Sequence, residues 1–102
     1  MKIEQVSADA WKSWIQEHDG LLLDVREPFE WQQSGVLPES KLLSMGELPA
    51  SLNQLSKDIP ILVVCRTGNR SQHAAEWLAA HGYQAANLAG GVVAVARATP
   101  AS

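Results

Sequence analysis

A run of apolar residues near the middle of the chain most constrains its fold. Ile61 to Val64 are four consecutive branched apolar residues after Pro60, with no alternation between apolar and polar positions. Such a run is typical of a central strand in a parallel sheet that is covered on both faces. The chain's single cysteine, Cys65, follows this run directly. Because ligands of open α/β sheets bind beyond the carboxyl ends of the strands, Cys65 lies where chemistry is expected.

The residues after Cys65 predict a tight loop that leads into a helix. Gly68 and Asn69 tolerate left-handed backbone, and residues 71–82 combine helix-favouring residues with a final glycine. A short loop that curls from a strand into a helix can turn successive amides inward, and the helix N-terminus reinforces the resulting anion-binding nest. Such a nest favours the thiolate form of a cysteine over the thiol. We therefore expect an anion site beside the sulfur.

Two arginines in this loop make a reactive thiol the favoured interpretation of Cys65. Arg66 and Arg70 place two positive charges within reach of the sulfur, and thiolate pKa values of ~3.5–7.5 occur in such surroundings, against about 8.5 for free cysteine. The alternative is that Cys65 is a small buried hydrophobic residue without chemistry. That alternative does not explain why a basic, glycine-containing loop follows the cysteine directly.

Two separated motifs carry a family resemblance. One is Leu22–Pro28, and the other runs from the strand and loop at 61–71 through Ala74–Leu78 and Gly82-Tyr83 to Asn87–Gly91. Across roughly residues 3–98, the chain resembles a single-domain rhodanese, which is a sulfurtransferase. The resemblance implies a three-layer α/β domain with a mostly parallel, five-stranded central sheet and helices on both faces. The alternation of strands and helices along the chain indicates the same architecture.

The resemblance also implies roles for the loop residues. Cys65 is the expected catalytic nucleophile, and the residues expected to bind the substrate, mainly through backbone amides, are Arg66, Thr67, Gly68, Asn69, Arg70 and Ser71. The side-chain chemistry of the last five is expected to be secondary. Arg66 either binds the anionic donor or points to solvent. Arg70 either contacts the donor or braces the loop through carbonyl groups or Asp24.

Positions outside the loop either support the predicted site or depart from the family pattern. The resemblance implies that Asp24 and Arg26 tie the loops above the sheet together rather than react with substrate. Val36 stands where the family usually has a histidine, and Glu39 replaces the second glycine of the same stretch. Val95 stands where the family usually has a tryptophan, which removes an aromatic wall. We expect these departures to alter loop packing and acceptor preference, not the nucleophile.

Apolar periodicity and turn residues predict the remaining elements. Ser7 is the expected N-cap of a helix that ends at Gly20 and buries Trp11 and Trp14. The predicted strands are 3–6, 21–25, 42–43, 61–64 and 84–88, and the later helices are a short one with Pro28 in its first turn, then 50–55, 71–82 and 92–98. Residues 1–98 are predicted to form one domain, and residues 99–102 a flexible tail.

Composition limits the classes of function. At 102 residues, with 46% apolar and 19% charged residues, the chain has the composition of one small globular domain. A net charge of −3 argues against a nucleic-acid surface, so any anion binding must be local. A single cysteine cannot form an internal disulfide, and no set of cysteines and histidines has zinc spacing. We therefore expect neither a metal nor an organic cofactor.

The N-terminus and the single cysteine predict the cellular compartment of the protein. The N-terminus has no apolar stretch suited to a signal peptide, and no run approaches the ~18 apolar residues of a membrane span. A reducing cytoplasm is the expected location, and it would keep a reactive thiol available. The three histidines, His18, His73 and His81, are scattered and are interpreted as solvated or packing residues.

Together these features predict a two-step transfer of sulfur. An anionic donor such as thiosulfate binds the loop, the Cys65 thiolate attacks its outer sulfur, and sulfite leaves a persulfide behind. Cyanide, a small thiol or a protein cysteine then takes the sulfur. This is covalent catalysis with ping-pong kinetics.

Three alternatives stay open at the level of sequence. A rhodanese-like phosphatase or arsenate reductase has a loop one residue longer, whereas four residues separate Cys65 from Arg70 here, which makes a smaller cradle. A non-catalytic binding module would dock through the loop surface, although inactive members typically lose the nucleophile. A sulfur carrier would use Cys65 to deliver sulfur to a dedicated protein partner.

Overall fold

The apolar run Ile61–Val64 forms strand β4, at the centre of a five-stranded parallel sheet. All four side chains are fully buried, as the absence of polar alternation predicts. A computed structural model describes residues 2–98 of the chain. The other strands are β1 (Glu4–Val6), β2 (Leu21–Asp24), β3 (Lys41–Leu42) and β5 (Ala85–Leu88), and the order across the sheet is β1-β5-β4-β2-β3.

Helices cover both faces of this sheet, which confirms the predicted three-layer α/β fold. They are α1 (Trp11–His18), α2 (Pro28–Ser34), a 3₁₀ helix (Pro49–Gln54), α3 (Asn69–Ala80) and α4 (Gly91–Ala98). Alternate residues of β4 enter two separate cores. Ile61 and Val63 pack with α3 residues such as Leu78, whereas Leu62 and Val64 pack with Trp14 of α1 and Val95 of α4.

The register of the sheet brings the predicted site residues to one edge. In the pairing of β2 with β4, Asp24 lies opposite Val64, the residue before Cys65. The carboxyl ends of both strands therefore open at the same edge of the sheet. The loop after β4 and the loop after β2, which carries Arg26, rise from that edge together.

Several local predictions differ from the structure at helix ends. Ser7 is not the N-cap of α1: the helix begins at Trp11 after Ala10, while the Ser7 hydroxyl bonds Asp9 and its carbonyl closes a turn with the Ala10 amide. The left-handed residue that ends α1 is Asp19, not Gly20. Because this turn precedes the helix, Ser7 lies four residues before Trp11, outside the cap position.

The boundaries of the later elements shift by one or two residues. Helix α3 spans Asn69–Ala80 rather than 71–82, and Asn69 is helical, so Gly68 alone provides the left-handed backbone of the loop. The short helix predicted at 50–55 is a 3₁₀ helix that spans Pro49–Gln54. The tail predicted at 99–102 lies outside the described residues. Between residues 2 and 98, no helix combines the length and the apolar character that crossing a bilayer requires.

Helix α4 is locked against the end of β4 at a glycine. Gly91 is buried with φ +63°, and a Cβ atom there would overlap the carbonyl groups of Cys65 and Arg66. The amides of Val92 and Val93 donate to those same two carbonyls, at 2.9 and 3.1 Å. Only a residue without a side chain lets the first turn of α4 approach so closely.

We predict that Gly91→Ala destabilises the fold by roughly 1–3 kcal/mol, because it combines a steric overlap with a strained backbone. Urea unfolding would measure the change. Gly46→Ala is the matched control, since a Cβ at Gly46 meets nothing within 4 Å, and we expect it to change stability little. An equal effect of both substitutions would contradict the close approach of α4.

Candidate active site

The sulfur of Cys65 accepts hydrogen bonds from the loop that follows it. The amides of Gly68 and Ser71 donate to Sγ at 3.1 and 3.4 Å, and the hydroxyl of Ser71 lies 3.2 Å away. Cys65 itself is only 1% exposed. These contacts form the predicted anion-binding nest, and the sulfur lies at its base.

Gly68 gives the loop its shape. Its φ of +103° turns the chain back over the sulfur, and a Cβ atom at this position would lie 3.1 Å from the amide nitrogen of Gly90. Helix α3 starts at the next residue, and its first amides have no earlier carbonyl within the helix to bond. One of them, from Ser71, therefore points at the sulfur.

Opposing effects act on the Cys65 thiol. Burial raises its pKa, whereas the hydrogen bonds from the Ser71 hydroxyl and from the amides of Ser71, Gly68 and Thr67 lower it, and the net pKa lies below the usual value. A lowered pKa increases the thiolate fraction at neutral pH, and the thiolate is the nucleophilic form. The loop around Cys65 therefore favours the thiolate form of its side chain.

The Ser71 side chain has a larger part than the sequence suggested. The prediction that the side-chain chemistry of Thr67 to Ser71 is secondary is wrong for Ser71. Its buried hydroxyl lies 3.2 Å from Cys65 Sγ and 2.6 Å from Asn87 Oδ1. A hydroxyl carries one proton, so it donates to one of these acceptors at a time. Asn87 Nδ2 donates in turn to Gln5 Oε1 at 2.9 Å and to the Gly68 carbonyl at 3.3 Å.

Sequence reasoning missed Asn87, although a signal was present. It is a polar residue inside β5, an otherwise apolar strand that is buried at this point, and it is 3% exposed. A buried amide needs partners, and the strand ends at the edge where the Cys65 loop lies. Its position predicts contact with that loop.

Arg70 is bound by an acidic residue from another helix. Its guanidinium makes a bidentate ion pair with Glu30 of α2, at 2.7 and 2.9 Å. The bond from Arg70 lowers the pKa of Glu30 to about 2, and Glu30 raises the pKa of Arg70. Of the two roles left open for Arg70, this ion pair provides the brace, and it runs through Glu30 rather than through Asp24 or carbonyl groups. Contact of Arg70 with a donor stays a prediction.

Asp24 and Arg26 form a buried pair below the loops. Arg26 donates to both carboxylate oxygens of Asp24, at distances from 2.8 to 3.1 Å, and both side chains are at most 1% exposed. The same guanidinium also donates to the Ser34 hydroxyl at 3.1 Å and to the Gly35 carbonyl at 2.8 Å. Arg26 thus fixes the end of α2 to the end of β2.

Arg66 is exposed and lies between two clefts. Among residues 2–98, no carboxylate pairs with its guanidinium. One cleft, about 550 Å³, is mostly apolar and includes Val36 and Val95, two of the three positions that depart from the family pattern. The other, about 460 Å³, is polar and includes Glu30 and Arg70. An anion can therefore meet Arg66 from either side.

The histidines make contacts outside the sulfur site. The ring of His18 stacks on Trp14 and that of His81 tilts against Trp77, with centroids 4.3 and 4.1 Å apart, while His73 is exposed. Across the described part of the chain, no group of three or more His, Cys, Asp and Glu side chains could hold a metal ion.

The fold and the site together define a class: α/β domains that hold a cysteine thiolate in an amide-lined loop at the carboxyl edge of a parallel sheet. Residues 7–98 match the family model described as Rhodanese-like domain, and the chain belongs to this family. A crystal structure of a rhodanese-like domain protein from Staphylococcus aureus superposes with a TM-score of 0.83 at 32% identity, and it covers 91% of each chain. The family resemblance seen in the sequence is thereby confirmed.

Named relatives fall into more than one class of enzyme. A protein of Allochromatium vinosum named sulfurtransferase is 39% identical over 80 residues, which are 78% of this chain and 74% of that protein. A tRNA uridine(34) hydroxylase of Pelagibacter ubique is 31% identical over 97 residues, which are 90% of this chain but only 32% of the hydroxylase. The second similarity therefore concerns one domain of a longer protein.

We predict that Ser71→Ala raises the pKa of Cys65, because the substitution removes a donor that stabilises the thiolate. The rate of alkylation by iodoacetamide, followed against pH, would show its midpoint moving to higher pH. Ser13→Ala, at an exposed position of α1, is the control and should leave the profile unchanged. An unmoved midpoint in Ser71→Ala would mean that the hydroxyl proton stays with Asn87.

Proposed function

We propose that this protein is a sulfurtransferase that carries sulfane sulfur on Cys65. The observation that carries the proposal is the set of donors around Sγ, the amides of Gly68 and Ser71 and the Ser71 hydroxyl, all within 3.4 Å. Membership of the rhodanese-like family and a sulfurtransferase relative over most of the chain support it. A reducing cytoplasm would suit such a thiol.

The first step is attack on an anionic donor, for which we propose thiosulfate. The oxygen atoms of thiosulfate bind at Arg66, and its outer sulfur faces Cys65. The thiolate forms a bond to that outer sulfur, and the sulfur–sulfur bond of thiosulfate breaks. Sulfite leaves with the electron pair, and Cys65 becomes a persulfide with one negative charge on its outer sulfur.

The second step returns the enzyme to its starting form. A nucleophilic acceptor, which can be cyanide, a small thiol or a protein cysteine, attacks the outer sulfur of the persulfide. The Cys65 thiolate leaves and is again stabilised by the donors of the nest. Between the steps, we assign the amides of Thr67, Asn69 and Arg70 to the outer sulfur, whose charge they would stabilise. The reaction needs no oxidant or reductant.

Phosphoryl chemistry fits the site less well. Such chemistry requires a cationic clamp on a tetrahedral anion, and in this loop Arg70 is the arginine at the far end of the cradle. Its guanidinium is engaged by Glu30 through two hydrogen bonds. The geometry therefore favours transfer of sulfur over transfer of a phosphoryl group.

We predict that thiosulfate adds the mass of one sulfur atom to the intact protein, and that a reducing thiol removes it, because the sulfur is bound as a persulfide on Cys65. Intact-protein mass spectrometry measures this directly. In Cys65→Ser, neither the mass gain nor thiocyanate formation should occur. A gain of the same mass in Cys65→Ser would exclude Cys65 as the carrier.

We predict that Arg66→Gln weakens thiosulfate use by about tenfold to a hundredfold in kcat/KM, the size expected for loss of a charge-assisted hydrogen bond. The effect should lie mainly in KM, because Arg66 binds the donor and does not contact the reacting bond. Steady-state kinetics would measure it. Arg97→Gln, at an exposed position on α4, should leave KM unchanged, and equal effects of the two substitutions would indicate only general electrostatic attraction.

A further inference from the structure

The side chain of Asn87, near the end of β5, is fixed in one orientation by its partners. Its nitrogen Nδ2 donates to the Gly68 carbonyl at 3.3 Å, and a carbonyl can only accept. Nδ2 also donates to Oε1 of Gln5 at 2.9 Å. The orientation of Gln5 is fixed as well, because its own Nε2 donates to the Ile3 carbonyl at 3.2 Å. The oxygen Oδ1 of Asn87 therefore faces Ser71.

Two acceptors compete for the single proton of the Ser71 hydroxyl. Asn87 Oδ1 lies 2.6 Å from the hydroxyl oxygen, at the short end of the range for O–H···O bonds, and Cys65 Sγ lies 3.2 Å from it. All three side chains are at most 3% exposed. Because an amide oxygen carries no proton, two oxygens at this distance need the hydroxyl proton between them. When the hydroxyl turns to Sγ, Asn87 Oδ1 loses this buried partner, which costs free energy.

The cost of this competition depends on the chemical state of the sulfur. The Sγ–H of a thiol can donate to the Ser71 oxygen, which leaves the hydroxyl proton with Asn87. A persulfide carries its charge on the outer sulfur, so its inner sulfur is a weak acceptor. Only in the thiolate does the charge on Sγ make it a strong competitor for the proton. Asn87 therefore disfavours the free thiolate without disfavouring the persulfide.

From these contacts we infer that Asn87 is a positioning residue that biases Cys65 toward its sulfur-loaded form. It acts through the Ser71 hydroxyl, which lies between Asn87 and Sγ. The inference rests on the proposed function. The Cys65 thiolate bonds to the outer sulfur of thiosulfate, the sulfur–sulfur bond of thiosulfate breaks, and sulfite leaves with the electron pair, so the negative charges are equal on both sides. The Ser71 proton stays on its oxygen and turns from Sγ to Asn87.

The pH dependence of Cys65 alkylation by iodoacetamide measures the competition. We expect Asn87→Ala to move the midpoint to lower pH, because the Ser71 hydroxyl then donates to Sγ alone. At a pH below the midpoint the rate should rise by about threefold to tenfold, the size expected for one neutral hydrogen bond. Mere loosening of the loop would move the midpoint to higher pH, because donors that lower the pKa of Cys65 would be lost. The Gly68 carbonyl still accepts from the Gln72 amide at 3.1 Å, which keeps the loop anchored.

A matched control separates the amide oxygen of Asn87 from the rest of its contacts. Gln5→Ala removes one partner of Nδ2 and leaves both Oδ1 and the Gly68 carbonyl in place, so the midpoint should not move. The charged groups around the loop are the same in all these variants: Arg66 and Arg70 on the loop, Glu30 on α2, and the Asp24–Arg26 pair after β2. A change of charge therefore cannot account for a shifted midpoint.

A double variant tests whether Asn87 acts through Ser71. In the Ser71→Ala background, Asn87→Ala should leave the midpoint unchanged, because the hydroxyl for which sulfur and amide compete is gone. An equal shift in both backgrounds overturns the inference. So does a midpoint that stays or rises in Asn87→Ala alone.

The bias itself is measured as the sulfur-loaded fraction of the protein in mixtures of thiosulfate and sulfite. At a pH above the alkylation midpoints, intact-protein mass spectrometry should show that Asn87→Ala lowers the equilibrium constant for loading by about threefold to tenfold. Gln5→Ala should not change it. An unchanged constant in Asn87→Ala overturns the inference and leaves the proposed function standing. If thiosulfate loads no sulfur on the unmodified protein, the proposed function fails, and the alkylation profiles still decide whether Asn87 holds the Ser71 proton.

A measurement on the unmodified chain keeps the inference testable if Asn87→Ala does not fold. The ¹³C chemical shift of the Asn87 side-chain carbonyl reports the hydrogen bond that Oδ1 accepts. It should change as Cys65 ionises and return toward its thiol value in the persulfide, and in Ser71→Ala it should not respond to ionisation. The same chemical shift in thiol and thiolate would overturn the inference.

Discussion

A buried sulfur can carry negative charge only where hydrogen-bond donors replace the water that burial removes. Cys65 meets this condition because Gly68 and Ser71 together direct two amides and one hydroxyl at Sγ. The direction depends on the left-handed backbone of Gly68. If the loop were extended at this point, the same burial would keep the thiol protonated and inert. The balance between burial and these donors is therefore the condition on which any chemistry at the site depends.

The surrounding elements hold these donors in place from three sides. Strand β4 is paired with β2 as far as Val64 and with β5 as far as Val63, so the end of the strand that leads into the loop is held on both sides. Helix α4 fixes the carbonyls of Cys65 and Arg66, and Asn87 of β5 holds the carbonyl of Gly68. Because the loop is held by separate elements, its donors need little reordering when charge develops on sulfur.

What the sequence could predict depended on how far apart the interacting residues are along the chain. The strand Ile61–Val64 and the left-handed turn at Gly68 are local features. An apolar run and a glycine each determine the backbone of a few neighbouring residues, so the sequence predicts both correctly. The ion pair of Arg70 with Glu30 joins residues 40 positions apart, and no local pattern selects Glu30 over Asp24. The predicted cap at Ser7 is wrong for a different reason, because the Ser7 carbonyl closes a turn with the Ala10 amide and the helix begins only at Trp11.

The Ser71–Asn87 contact bears on both halves of the proposed cycle. When the persulfide forms, negative charge moves outward by one sulfur–sulfur bond, about 2 Å, and the inner sulfur becomes neutral. A buried hydroxyl without an acceptor would then oppose persulfide formation. In the persulfide state, the Ser71 hydroxyl donates its hydrogen bond to Asn87 Oδ1, which lies 2.6 Å away. In the free enzyme, it donates to the Cys65 thiolate instead. The hydroxyl is thus satisfied at each stage, which keeps the free and the sulfur-loaded enzyme close in energy.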